Sequence, residues 1–191
     1  AQEQRLSSII GYMYCVLFSF EDILLVTGPP AIRRSFLDLI LSTTDSLYFG
    51  HLKRYVHLIR QKNSYLRGMP LRSIPPGDGS PGGASVVVPE YVTDTDFGRN
   101  PDLVEVWNEQ LVECGSYIIY RRLALIRYIN KHITDAAPAL VHFSEPPELR
   151  YSTNIPGVSA ARDVALEEIG LSFKKALSLG IKSEIEGRQS I

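Results

Sequence analysis

The sequence contains no complete phosphate-binding loop. Its one glycine-rich stretch, residues 77–83, lacks the Gly-Lys-Ser/Thr ending that supplies a cation and a magnesium ligand in such loops. No convincing strand precedes this stretch and no helix follows it, which is typical of a linker. We therefore expect no nucleotide or magnesium site within these 191 residues.

Residues that commonly ligate metals or act as nucleophiles are also scarce. The two cysteines, Cys15 and Cys114, have no metal or redox spacing and lie among apolar residues, which predicts two small buried side chains in a reducing cytoplasm. The four histidines form neither a His-Glu-x-x-His motif nor a pair on one helix face. We expect surface or interface histidines, no metal site and no catalytic residues, so the segment is not predicted to be an enzyme.

A membrane-spanning segment is absent as well. The uncharged run 6–20 is shorter than the roughly 20 apolar residues that a helix needs to cross a bilayer. Glu21 follows the run directly, and no small-residue cleavage site is present. Within the run, Met13–Phe18 has the length and composition of a strand that is buried on both faces. We expect a cytoplasmic protein with no membrane contact.

The rest of the sequence has the pattern of helices. Ser19 is a cap for a short helix that ends near Gly28, and Pro30 suits the first turn of the next helix. Asp45 or Ser46 caps a third helix that reaches about residue 66. The predicted apolar stripe of this third helix consists of Tyr48, Leu52, Tyr55, Val56 and Ile59.

A long helix is predicted to begin at Asn100-Pro101-Asp102 and to end before Pro138. Apolar residues recur close to every 3.5 positions along it, namely Val104, Trp107, Leu111, Cys114, Ile118, Leu125 and Tyr128, with Arg121 as an interruption. Such a seam needs a partner helix, and residues 46–66 are the obvious antiparallel partner.

The remaining segments complete a fold that is mainly α with a few strands (α+β). Residues 68–100 are rich in glycine, proline and serine at their centre and are predicted to be a flexible insertion. Residues 148–153 alternate in polarity like a strand, and 154–157 form a turn. A last amphipathic helix over 160–179 is expected to bury Leu166, Ile169, Phe173 and Leu177 and to stop at Gly180.

The charges are unevenly distributed along the chain although the net charge is only −1. Residues 30–72 contain eight Lys/Arg and two Asp/Glu, whereas residues 73–120 contain eight acids and only Arg99 as a cation. Local charge sets the field that a partner meets. A row of cations is the usual footprint of DNA binding, so we predict a DNA-contacting set of Arg33, Arg34, Lys53, Arg54, Arg60, Lys62 and Arg67.

Two alternatives remain open for these cations. They could form salt bridges with acids on the neighbouring long helix, which also carries Arg121, Arg122, Arg127 and Lys131; those acids are Glu105, Glu109 and Glu113. One arginine of the Arg33-Arg34 pair could instead anchor the carboxylate of Asp38 or Asp22 within the fold.

Several segments resemble the RecF family in order and spacing. The stretch 16–38 is similar to that family's Leu-Phe-Ser-Pro-Glu-Asp, Leu-Val, Gly, proline and Arg-Arg-x-Phe-Leu-Asp series, with Phe20 in place of the family's proline. Residues 54–63 resemble its Arg-Tyr … Leu-Arg-Gln-Arg-Asn helix, and 106–111 resemble Val-Trp-Asp-Glu-Gln-Leu. Phe20 should be tolerated, since the proline only pre-sets a backbone angle and Ser19 still caps the helix.

The resemblance implies an internal piece of a longer ATPase related to the SMC and Rad50 heads. It implies an edge of the head at 1–28, an antiparallel helical arm at 29–143 with the insertion 68–100, and a strand and helix that return to the head at 144–191. The whole protein would bind ATP and magnesium, dimerise on ATP, bind gapped DNA and load recombinase with RecO and RecR. Its nucleotide motifs would lie outside this segment. The alternative role is a structural arm that contacts RecR or a second copy without touching DNA.

Overall fold

The protein folds mainly as helices in the part that the structure describes. This computed structural model describes residues 19–68, 101–140, 147–159 and 162–187. A short 3-10 turn over Phe20–Ile23 leads into α1 (Leu24–Thr27), which is followed by α2 (Pro30–Thr44), α3 (Ser46–Leu66), α4 (Pro101–Leu140) and α5 (Leu166–Gly187). Across these described ranges, no helix combines the length and the hydrophobicity needed to cross a membrane.

The chain divides into two compact units. The first unit contains residues 1–50 and 121–149, and the second contains residues 51–120 and 150–191. Two of the three boundaries fall inside long helices, one in α3 and one in α4, and the third lies between residues 149 and 150. The predicted division into head edge, arm and returning segment follows other boundaries and stays a prediction.

The helices of the first unit begin where their capping residues predict. Ser19 Oγ accepts a hydrogen bond from the Glu21 N–H, and the Asp22 carboxylate accepts one from the Ser19 N–H at 2.8 Å. Pro30 is the first residue of α2. Asp45 Oδ1 accepts from the backbone N–H groups of Leu47 and Tyr48 at the start of α3. These contacts satisfy N–H groups that have no partner within the helix.

In the second unit α3 and α4 lie side by side and antiparallel. His51 stacks on Tyr117 with ring centroids 4.6 Å apart, and Tyr65 packs on Trp107 at 5.0 Å. Between these pairs Arg54 meets Glu113 at 3.2 Å. The partner on α4 moves backwards along the chain as the residue on α3 moves forwards, so the predicted antiparallel pairing of these helices is observed.

The buried face of α3 differs from the predicted stripe. Tyr48 is buried as expected, but Val56 is exposed, and Leu58, Lys62, Tyr65 and Leu66 are the buried residues further along. These four residues have helical spacing. The sequence pattern does not predict this buried face, because Lys62 interrupts its run of apolar residues.

The buried face of α4 agrees with the predicted seam only up to Ile118. Beyond this residue the buried positions are Ile119, Leu123 and Ile126, whereas Tyr128 is 61% exposed. An α-helix has 3.6 residues per turn, so a seam counted in steps of 3.5 drifts around the helix. The predicted burial of Tyr128 is therefore wrong.

Two helices also continue past their predicted ends. The helix α4 runs to Leu140 although Pro138 was expected to stop it. A proline this close to a helix end removes only one N–H donor from the last turn. The helix α5 starts at Leu166 instead of residue 160 and passes through Gly180 to Gly187. Its buried residues include Ile169, Phe173 and Leu177 as predicted, and Glu184 beyond the expected stop.

The strand predicted at residues 148–153 does not form. Instead, the Asn130 side chain in the first unit accepts a hydrogen bond from the Leu149 N–H at 2.8 Å and donates one to the Leu149 carbonyl at 2.9 Å. A side-chain amide thus takes the place that a neighbouring strand would occupy. The predicted turn follows, with Gly157 at a φ of 78°. The strand predicted at 13–18 and the insertion predicted at 68–100 lie outside the described residues, apart from Gly68.

Candidate nucleic-acid interface

The helix α3 carries cations and no acid. Its 21 residues include Lys53, Arg54, Arg60 and Lys62 but no Asp or Glu. Lys53, Arg60 and Arg67 follow each other at intervals of seven residues, and Arg67 continues the helical hydrogen bonding through its N–H to the Asn63 carbonyl at 3.1 Å. Seven residues are almost two turns, so these three cations share one face of the helix over about 21 Å. We call this set the basic stripe.

Two of the three members of the basic stripe are accessible. Arg60 and Arg67 are exposed, and Lys53 is half-buried. Val56, on the same side of the helix, is 40% exposed. The stripe therefore offers positive charge in water, where phosphate groups can reach it.

Arg54 belongs to the contact between α3 and α4. Its guanidinium lies 3.2 Å from the Glu113 carboxylate and donates a hydrogen bond to Gln110 Oε1 at 3.4 Å. The predicted alternative of salt bridges to the long helix is thus observed for Arg54. Glu109 pairs with Lys174 of α5 at 3.6 Å instead of with α3.

Lys62 is not a surface cation, which corrects its predicted contact with DNA. Its side chain is fully buried, and its Nζ lies 2.7 Å from Asn108 Oδ1 and 2.7 Å from Glu184 Oε2. A phosphate cannot approach an ammonium that protein atoms enclose. Burial lowers the pKa of Lys62, and the adjacent Glu184 carboxylate opposes this shift.

The Arg33-Arg34 pair divides between two environments in the first unit. Arg33 donates through Nη1 to the carbonyls of Gly28 at 2.9 Å and Leu25 at 3.3 Å, so it holds the end of α1. Arg34 is exposed, as a DNA contact requires. Neither proposed anchoring role is seen, because Asp22 caps the first turn and Asp38 has another arginine as its partner.

The partner of Asp38 is Arg122 of α4. Arg122 donates to Asp38 Oδ1 from Nε at 3.0 Å and from Nη2 at 2.6 Å, and the Tyr48 hydroxyl donates to the same oxygen. Three helices of the first unit, α2, α3 and α4, meet at this carboxylate. Burial, together with the hydrogen bond to Asp38, raises the pKa of Tyr48.

Arg121 is engaged in the same way. Its guanidinium lies 2.8 Å from the Asp45 carboxylate that caps α3. Arg121 and Arg122 therefore hold the first unit together through Asp38 of α2 and through Asp45, the residue before α3. The acid pairing suggested by the sequence is real, although for these two arginines the acids are not on α4.

The remaining candidate groups are the cysteine and the histidines of the described segments. No cluster of three or more His, Cys, Asp or Glu with a metal-binding arrangement occurs among the described residues. Cys114 is buried as predicted, and burial raises the pKa of its thiol to about 11. His51 stacks on Tyr117, and His132 stacks on Tyr128.

Comparison with known proteins points to one family. No family model matches the chain. The DNA replication and repair protein RecF of Salinibacter ruber is 30% identical over 178 residues, which are 93% of this chain and 37% of that protein. The protein of the same name from Symbiobacterium thermophilum is 29% identical and matches 98% of this chain and 42% of its own length.

The fold is also similar to that of solved RecF structures. A solved structure of the recombination mediator protein RecF-ATP in the RecFOR pathway has a TM-score of 0.72 and 22% identity, and the match covers 96% of this chain and 41% of that one. A second solved structure, of RecF-ATPrS, has a TM-score of 0.71 with similar coverage. The chain spans about two fifths of the length of these relatives. The sequence matches over nearly the whole chain show that it belongs to the RecF family, and its fold is similar to that of the solved RecF structures.

Proposed function

We propose that this chain is the helical arm of a recombinational DNA-repair protein and that the basic stripe of α3 binds DNA. The curated relatives are named for DNA replication and repair, which supports the biological setting. The observation that carries the proposal is the acid-free helix α3, with Arg60 and Arg67 exposed and in line. Lys53 extends this line towards the start of the helix.

The chemistry of the stripe suits a nucleic-acid backbone. Arg and Lys neutralise phosphates and release condensed counterions, which supplies affinity that does not depend on base sequence. Three cations over about 21 Å form a row and not a pocket, and a row matches a charged strand better than a small ligand. Single-strand gaps and junctions between single- and double-stranded DNA are the substrates we propose. Arg34 provides a further exposed cation in the first unit.

For the whole protein we propose ATP and magnesium binding, ATP-dependent pairing of two copies, and loading of recombinase with RecO and RecR. The names of the solved relatives, RecF-ATP and RecF-ATPrS of the RecFOR pathway, support the ATP binding and the pathway in this proposal. We assign no step of ATP chemistry to this segment.

The basic stripe is tested by replacing Lys53, Arg60 and Arg67 with alanine in the intact chain. Binding to a fluorescent gapped DNA is then measured at several salt concentrations. We expect weaker binding and a shallower salt dependence, by about 0.9 in the log–log slope for each duplex phosphate contact that is lost. Lys175→Ala with Lys182→Ala is the matched control, because both lysines are exposed on α5 and lie outside the stripe. If the triple variant keeps the parental affinity and slope, the stripe does not bind DNA.

A protein-binding arm is the second candidate function. It is favoured by the pairing of Arg54, Arg121 and Arg122 with acids of the same chain, because cations that are paired in this way are less available to DNA phosphates. The partner would be RecR or a second copy of the chain. A pull-down with purified RecR and the triple alanine variant separates the two functions. If RecR retention falls while binding to gapped DNA is unchanged, the protein-binding arm is supported.

A further inference from the structure

The second unit contains a buried polar cluster that connects its three helices. Lys62 of α3, Asn108 of α4 and Glu184 of α5 are each at most 2% exposed. The Lys62 ammonium donates to Asn108 Oδ1 at 2.7 Å and to Glu184 Oε1 at 2.8 Å, and Glu184 Oε2 lies 2.7 Å away. Three oxygen atoms thus surround a group that has three N–H donors.

The outer side of this cluster is also hydrogen-bonded. The Asn108 amide nitrogen donates to Glu105 Oε2 at 3.4 Å, which orients the Asn108 oxygen towards Lys62. The ammonium therefore has a fixed set of acceptors contributed by two other helices. Such an arrangement is satisfied only when all three helices are in their observed positions.

A displaced α5 would leave the cluster without an acid. The residues about one turn before Glu184 on the same side of α5 are Gly180 and Ile181, and the residue about one turn after it is Gly187. None of them carries a carboxylate. On α3, the residues one turn from Lys62 are the buried Leu58 and Leu66, which cannot pair with Glu184. A shift by one turn, roughly 5.4 Å, would bury a charge without a partner in either direction.

Stability alone does not explain why these charges are buried. The cost of removing two charges from water is often as large as their attraction, so a pair of apolar residues of similar volume can serve the core equally well. A buried polar contact can nevertheless select one alignment of helices, because other alignments leave it unsatisfied.

We propose that the Lys62–Asn108–Glu184 cluster sets the axial register of α5 against α3 and α4. The apolar contacts of α5 supply the attraction, and the cluster decides which alignment is occupied. This role concerns the position of a helix and is independent of DNA binding by the basic stripe.

The packing of Phe173 on Gly115 provides a direct readout of the register. A Cβ atom at Gly115 would lie 2.2 Å from Cε1 of Phe173, so the ring rests on the backbone of α4. The chain is prepared with isotope-labelled glycine and phenylalanine. A nuclear Overhauser effect between Gly115 Hα and the Phe173 ring then reports the alignment of α5 with α4. We expect one strong cross-peak in the unaltered protein.

The decisive variant is Lys62→Met with Glu184→Met. We expect a folded protein in which this cross-peak weakens and the Phe173 ring signals divide into more than one set. Lys62→Glu with Glu184→Lys restores an ion pair and should return a single set. The matched control is Glu109→Met with Lys174→Met, which removes an exposed ion pair between α4 and α5 and should leave one set.

Two outcomes would overturn the proposal. A double methionine variant with one full-strength cross-peak would mean that Phe173 and Gly115 fix the register without the cluster. An unfolded double methionine variant, as judged by circular dichroism, would make the cluster a source of stability instead of alignment.

Discussion

Two side chains donate hydrogen bonds to the same carboxylate oxygen of Asp38. Arg122 approaches it with Nε at 3.0 Å and Nη2 at 2.6 Å, and the Tyr48 hydroxyl donates to the same atom. Hydrogen bonds to a charged acceptor are stronger than those between neutral groups. This network therefore fixes the position of α2 in the first unit, and it makes the protonation state of Tyr48 important.

Tyr48 predicts a loss of stability in alkaline solution. Its folded-state pKa is raised, whereas a tyrosine in the unfolded chain loses its proton near pH 10. The contribution of protonated Tyr48 to the free energy of unfolding is therefore fully present below about pH 10. It declines as the pH rises above that value, by at most about 1.4 kcal/mol per pH unit. Tyr48→Phe should flatten the decline in free energy of unfolding, measured with urea between pH 8 and 11.

Tyr128→Phe serves as the control for this measurement, because Tyr128 is 61% exposed. We expect it to keep the parental dependence on pH. If both variants decline in parallel with the parent protein, Tyr48 is not responsible for the alkaline loss.

Lys62 shows what residue identity alone does not reveal. Its neighbours in the sequence place it among the cations of α3. A lysine at such a position can serve either as a surface contact or as one half of a buried ion pair. The partner that decides between them, Glu184, lies 122 residues away. The shared face of Lys53, Arg60 and Arg67 follows from the sequence alone, because a helix places residues seven apart on one face without any distant partner.

At the scale of the helix, starts were easier to predict than ends. Caps such as Ser19 and Asp45 act within four residues, so the local sequence contains the whole interaction. Gly180 and Pro138 were expected to end helices, but each carries only a local cost. Glycine costs only roughly 1 kcal/mol inside a helix, so α5 continues through Gly180 to place Glu184 in the buried interior.

The absence of a side chain at Gly115 allows α5 to pack closely against α4. A methyl group at this position would lie 2.2 Å from the Phe173 ring and 3.1 Å from the Tyr55 ring. Both rings have to move, so we expect Gly115→Ala to lower the free energy of unfolding by about 1–3 kcal/mol. Urea unfolding followed by circular dichroism measures this change.

Gly50→Ala is the matched control within a helix. Nothing lies within 4 Å of a Cβ at Gly50, which is exposed in α3. Alanine there should stabilise the protein by roughly 0.5–1 kcal/mol, because glycine gives up more backbone freedom on folding. The two changes in the free energy of unfolding need not be equal in size. Destabilisation by Gly50→Ala would contradict this account.

For the molecule as a whole, Cys114 reports how often the second unit opens. The thiol is buried and burial raises its pKa to about 11, so at pH 8 it holds much less thiolate than an ordinary cysteine. We expect very slow labelling by a maleimide in native buffer and rapid labelling in urea above the unfolding transition. Mass spectrometry of the peptide that contains Cys114 separates it from Cys15. Rapid native labelling of Cys114 would show that the unit opens without global unfolding.

The Asn130 amide has a consequence for how the chain meets other chains. An extended segment with free N–H and carbonyl groups is a template onto which a foreign strand can add. At Leu149 both groups are already occupied by one side chain, at 2.8 Å and 2.9 Å. A strand arriving at this residue would have to displace two hydrogen bonds before it gained any, so Asn130 opposes strand addition at Leu149.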